Sequence, residues 1–126
     1  MLKGLVSKMS VDTKGCVVTD NKNVFEIIHK ISENFPGSKL HMDSLFHTVM
    51  VVFVFNGEDR MLRVSFDCDY DLENHPEIEG TSCVWLSLGH WGSSEEIMLL
   101  ALNSLSSIGD TYIDVNDCDD TGFVKV

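Results

Sequence analysis

TVMVVFVFNGEDRMLRVSF, residues 48–66, is the stretch that decides the fold. Val49 to Phe55 is an unbroken apolar run, rich in β-branched and aromatic side chains and too short to cross a bilayer as a helix. A strand apolar on both faces is usually covered on both, so this one is expected in the sheet interior. Asn56-Gly57-Glu58-Asp59 supplies turn chemistry, with Gly57 free to take positive φ. From Met61 to Tyr70 the pattern changes to period two. Leu62, Val64, Phe66, Cys68 and Tyr70 fall on one face, Arg63, Ser65, Asp67 and Asp69 on the other. The spacing predicts a β-hairpin with a covered first strand and a half-exposed second one.

Two helices flank this hairpin in the sequence. Upstream, Val24, Ile27, Ile28, Ile31 and Phe35 repeat at helical spacing over 20–35, with Asn23 and Glu26 three apart as a capping box and Pro36-Gly37 as the stop. Downstream, Ser93 and Glu96 repeat the capping signature, and a helix is expected over 93–108 with Gly109 as its C′ residue. Ile97, Leu100, Ala101, Leu105 and Ile108 make its core stripe. Met98, Leu99 and Leu102 are surplus to one face, so either the N-terminal segment or a second copy of the chain is expected to cover them. A homodimer through helix 93–108 is the assembly this implies.

Shorter apolar runs at 15–19, 82–88, 110–115 and 123–126 read as strands; 38–46 is ambiguous, and residues 1–14 read equally as a short helix or an arm. On the 82–88 strand, Val84, Leu86 and Leu88 share one face while Cys83, Trp85 and Ser87 share the other, which calls for something to cover Trp85. The expectation is a single α+β domain over 1–126: a mainly antiparallel sheet of about five strands with two principal helices packed on it, in the order β-α-β-β-β-α-β-β.

Charge is the strongest functional signal. The chain of 126 residues has a formal net charge of −11. Residues 1–63 carry eight basic against seven acidic groups, whereas residues 64–126 carry Lys125 alone against thirteen acids. Direct binding of nucleic acid through phosphates needs Lys and Arg and is not expected. An acidic face that engages a basic protein is the leading reading, with Asp67, Asp69, Asp71, Glu73, Asp114, Asp117, Asp119 and Asp120 as its residues. Asp67, Asp69 and Asp71 would project together from one strand. The role that fits is a small accessory binding protein, of inhibitor or immunity type.

The alternatives are a divalent-cation binder or minor enzyme that uses the 114–120 turn with His75 or His90, and a small-molecule binder with a pocket at Trp85, His90 and Trp91 that a dimer would complete. Asp117-Cys118-Asp119-Asp120-Thr121-Gly122 matches the first half of a calcium loop, but the sequence given reaches Val126 before the bidentate Glu such a loop needs. His41, Asp43 and His47 match no metal-ligand spacing. No nucleophile elbow or phosphate-cradling glycine loop occurs, and Cys68 and Cys118 lie among acids that would blunt them. His75 in the acidic stretch has no partner identifiable from the sequence. The reading therefore favours binding over catalysis, with neither cofactor nor resident metal implied. Cys16, Cys68, Cys83 and Cys118 form no C-x-x-C pair, and no secretory or membrane-spanning segment is recognisable, so a reduced, cytoplasmic protein is expected.

Overall fold

The computed structural model describes residues 12–43, 47–89, 92–115 and 122–126. Seven strands and two α-helices are present among them: β1 Asp12–Val18, α1 Val24–Ser32, β2 Lys39–Met42, β3 Thr48–Phe55, β4 Glu58–Ser65, β5 Cys83–Gly89, α2 Ser94–Leu105, β6 Asp110–Asp114 and β7 Val124–Lys125. A 3-10 helix, Asp69–Asn74, lies between β4 and β5. The strands form one sheet in the order β2-β3-β4-β5-β1-β6-β7, and every neighbouring pair is antiparallel. The expected α+β class stands. The expected sheet of about five strands is corrected to seven, and the order gains the ambiguous segment, which forms β2.

The β3–β4 hairpin turns through two residues, since Phe55 pairs with Glu58. Asn56 at φ 52° and Gly57 at φ 82° both take the left-handed conformation, as a type I′ turn requires. β3 is covered on one face only, which corrects the two-sided expectation. Val49, Val51 and Phe53 are buried under the helices, whereas Val54 is 65% exposed on the other side. β4 contributes Leu62 and Val64 to the same core. Its pairing ends at Ser65, so Asp67 and Asp69 do not extend the alternation.

Helix α1 is capped by Asn23, whose side chain accepts the Glu26 N–H at 3.1 Å. It buries Ile27, Ile28 and Ile31. Phe35, one turn beyond, stacks on Phe53 with ring centroids 4.0 Å apart. Helix α2 buries Ile97, Met98, Ala101, Leu102 and Leu105 and leaves Leu100 37% exposed. Its buried stripe is thus rotated from the expected one: Met98 and Leu102 are core and Leu100 is surplus. Ser93 makes no side-chain cap and sits at φ 24°, with its Oγ 3.5 Å from Asn56 Nδ2, so the second capping box is not formed. Gly109 is needed for close approach and not for a left-handed cap. A Cβ there would stand 1.9 Å from the Val18 carbonyl oxygen.

The two helices and the inward side of the sheet enclose the main core. The opposite side is divided. Over β5, β1 and β6 a second cluster forms from Cys16, Leu72, Ile78, Cys83, Tyr112 and Phe123, with Val18 and Trp85 packed against it. Leu72 and Ile78 come from the acidic stretch after β4, which is the cover that Trp85 called for. No described helix is long and apolar enough to cross a membrane.

Candidate functional site

The segment 67–79 is held to the outer sheet face by apolar anchors and by two of its own carboxylates. Leu72 and Ile78 are buried. Asp69 accepts from the Cys83 backbone N–H at 3.0 Å, from Lys22 Nζ at 2.8 Å and from Ser82 Oγ at 3.3 Å. Lys22 also donates to the Cys83 carbonyl. Partial burial works to raise the Asp69 carboxyl, but these donors outweigh it and hold it below the ordinary value. Glu77 accepts the Phe123 N–H at 3.0 Å and lies 3.5 Å from His75 Nδ1. It too is held low, burial opposing and the Phe123 N–H leading the groups that outweigh it. The partner of His75 that the sequence did not reveal is therefore Glu77, two residues away.

The rest of the segment's surface is acidic and aromatic. Asp67, Glu73 and Glu79 are exposed, Asp71 is half-buried, and Tyr70 is 67% exposed. The expected acidic face is thereby redrawn. Asp67, Asp69 and Asp71 do not line one strand: Asp67 follows the end of β4, and Asp69 and Asp71 sit in the 3-10 helix. Asp69 is turned to structural use. Asp114, on β6, is 6% exposed and engaged with other groups, so it is a buried residue and not a surface one. Asp117, Asp119 and Asp120 lie outside the described residues, as do His90 and Trp91.

Trp85 borders a groove. The groove measures about 350 Å³, and Lys14, Arg63, Asp71, His75, Trp85 and Ser87 are among its walls. Trp85 Nε1 donates to the Cys68 carbonyl oxygen at 2.9 Å. The Trp85, His75 and Phe123 rings meet with centroids 5.0–5.5 Å apart. This orients the indole as one wall of the groove. Arg63 faces Ser87 across the β4–β5 ladder, and Ser87 faces Lys14 across the β5–β1 ladder. The three residues thus make one rung on the open side of the sheet. Sequence reading placed Arg63 and Ser87 on the outer faces of their strands; it had no means of pairing them.

The thiols of this region are quiet. Cys16 and Cys83 are fully buried on adjacent strands. Cys16 is pushed up by its hydrogen bond to Cys83 and by burial. Burial, followed by the Asp71 charge, raises Cys68. Cys83 is lowered, chiefly by its hydrogen bond with Cys16 against the opposing effect of burial, but it is fully buried, so no accessible thiol among these three is activated. Among the described residues no three His, Cys, Asp or Glu side chains are grouped as metal ligands. The exposed flank of α2, expected at a subunit contact, carries Leu99 and Leu100 beside Val115 and Val126 around a depression of about 810 Å³.

Comparison of the chain with known protein families, with characterised proteins and with solved structures finds no match.

Proposed function

We propose that this is a binding protein whose 67–79 segment docks a basic protein partner, as a small inhibitor does. The observation that carries the reading is the division of labour within that segment. Asp69 and Glu77, themselves exposed, fasten it by accepting the Cys83 and Phe123 backbone N–H groups, while Tyr70 is two-thirds exposed among the carboxylates Asp67, Asp71 and Glu73. An exposed tyrosine is costly to leave in water and is enriched at the energetic centres of interfaces. A rim of like charge steers a partner of opposite sign and weakens with added salt. Because the segment is already tied down, less conformational entropy is lost on docking.

The partner that fits is a protein with a Lys- and Arg-rich surface, such as a nucleic-acid-binding protein whose phosphate site the carboxylates would occupy. Affinity capture from source cells at low ionic strength, followed by elution with salt, tests this. The expected product is a basic protein released by about 0.5 M salt, where the Debye length falls to a few ångströms. Tyr70→Ala and Glu73→Gln should each reduce its capture. Recovery of proteins no more basic than background, or capture indifferent to both substitutions, refutes the reading.

A further inference from the structure

The groove beside Trp85 shares Asp71 with the docking segment but holds Arg63, Ser87 and Trp85, which docking through Tyr70 does not use. Arg63 and Asp71 line the same groove of about 350 Å³, Arg63 on β4 and Asp71 on the 3-10 helix. Neither side chain is in an ion pair or hydrogen bond among the described residues. Opposite charges that share a groove and do not close on each other leave room between them for a third party.

The rest of the groove sorts into two ends. At one end Arg63, Ser87 and Lys14 share a rung across three strands, so a cation, a hydroxyl and a second cation lie side by side; the Asp12 carboxylate lies two residues before Lys14 at the groove's edge and is engaged with other groups. Neighbouring strands are about 4.8 Å apart, which brings both cationic side chains within reach of an oxyanion seated over Ser87. Lys14 interacts with other groups as well, so Arg63 is the principal donor. A guanidinium grips a carboxylate through two parallel N–H bonds. At the other end stand Asp71, His75 and the Trp85 ring, an anion beside aromatic faces, which suits an ammonium group. Trp85 and Ser87 are two residues apart on β5, roughly 6–7 Å along the strand.

A ligand of a single sign would gain at one end and be repelled at the other. We infer that this groove binds a small zwitterion of the amino-acid class, with its carboxylate on Arg63 and Ser87 and its ammonium on Asp71 against Trp85. The distance between the two ends favours a molecule whose charges are separated by several bonds.

Nuclear magnetic resonance titration of the full chain with α-alanine, β-alanine, γ-aminobutyrate and δ-aminovalerate, beside butyrate and butylammonium, tests the inference. Saturable shifts at Ser87, Arg63 and the Trp85 indole N–H are expected with the longer amino acids. The two single-charge analogues should bind at least about tenfold more weakly, the equivalent of one lost charge contact. Arg63→Met and Asp71→Asn should each weaken binding by a similar factor while the melting temperature stays put. Tyr70→Ala should leave it unchanged, which separates this groove from the docking segment. Failure of every amino acid in the series to saturate overturns the inference. So does equal binding of butyrate or butylammonium, or indifference to Arg63→Met.

Discussion

Gly15 lies on the helix-facing side of β1, opposite Leu86 on β5 and Ile113 on β6, directly beneath α2. Replacing it with alanine tests how tightly that helix is seated. The added Cβ would stand 2.6 Å from Met98 Sδ and 3.1 and 3.3 Å from the two Leu102 methyl carbons. Met98 and Leu102 are both fully buried, so neither can swing into water to make room. Overfilling a closed core costs about 1–3 kcal/mol. Removing a glycine from the unfolded chain returns about 0.4–1 kcal/mol. The expected net loss for Gly15→Ala is therefore between zero and about 2.6 kcal/mol, against a total stability of about 5–15 kcal/mol. Met98→Ala alone should cost about 2–5 kcal/mol by leaving a cavity. In the double variant the new methyl points into that cavity, so the loss should fall short of the sum by more than about 0.5 kcal/mol. Urea denaturation of the four proteins at constant m-value measures each term. A cycle that is additive within about 0.3 kcal/mol, or a Gly15→Ala protein more stable than the parent, would refute the packing of α2 on β1 described here.

Other outcomes follow from the same structure. Asp69 has a folded value held below its ordinary one, so the stability it contributes is present above the unfolded value of about 4 and is lost as pH falls through the folded value. Asp69→Asn should therefore be less stable than the parent near neutrality, and the difference should shrink on acidification, as read from melting temperatures between pH 7 and 2.5. Val54 faces solvent while Val51 is fully buried, so Val54→Thr should change stability by less than about 0.5 kcal/mol and Val51→Ala should cost about 1.5–3 kcal/mol in denaturant titrations. Cys16 and Cys83 are fully buried, so peptide mapping after brief treatment of the native protein with a thiol reagent should find both unlabelled, and labelling should appear once urea unfolds the chain. Removing the bond from Glu77 to the Phe123 N–H by Glu77→Ala should loosen the attachment of residues 122–126, seen as faster amide exchange at Phe123.

Sequence reading was most successful where one residue type has few physical options. Asn56-Gly57 could form a two-residue turn because both tolerate positive φ, and it did. Asn23 could cap a helix, and its side chain accepts the Glu26 N–H. Reading failed where two patterns are locally indistinguishable. The alternation from Met61 to Tyr70 looks like strand throughout, yet pairing ends at Ser65 and a 3-10 helix begins at Asp69. The cause is tertiary: burying Leu72 and Ile78 over Cys83 and Tyr112 requires the chain to leave the sheet and fold back across it. Ser93-Ser94-Glu95-Glu96 likewise reads as a capping box. Thr13 Oγ1, however, lies 3.1 Å from Ser94 Oγ and 2.8 Å from the Val115 carbonyl oxygen, so the helix entrance is organised by contacts from β1 and β6.

The candidate sites show the same boundary. The excess of carboxylates in the second half was countable from composition, but which of them face solvent was not. Asp69 and Asp114 have the same side chain as Asp67, and only their neighbours decide that one fastens a loop, another is buried and the third is exposed. Tyr70, assigned by alternation to the face shared with Leu62 and Val64, became an exposed aromatic because the backbone turns beneath it. The groove depends on strand register and on the folding back of the 67–79 segment.

By itself, then, the sequence determined that this chain forms helices and hairpins in α+β proportion, where its sharpest turn lies, and that negative charge is concentrated after residue 63. Those properties follow from local sterics, periodicity and counting. Tertiary structure decided which side of each strand is covered, which acids tether the 67–79 segment, and that Arg63, Ser87 and Lys14 share a rung. The reason is that side-chain direction alternates with each residue of a strand. A pairing shift of one place would reverse every such assignment, and pairing is set by contacts between residues far apart in the chain.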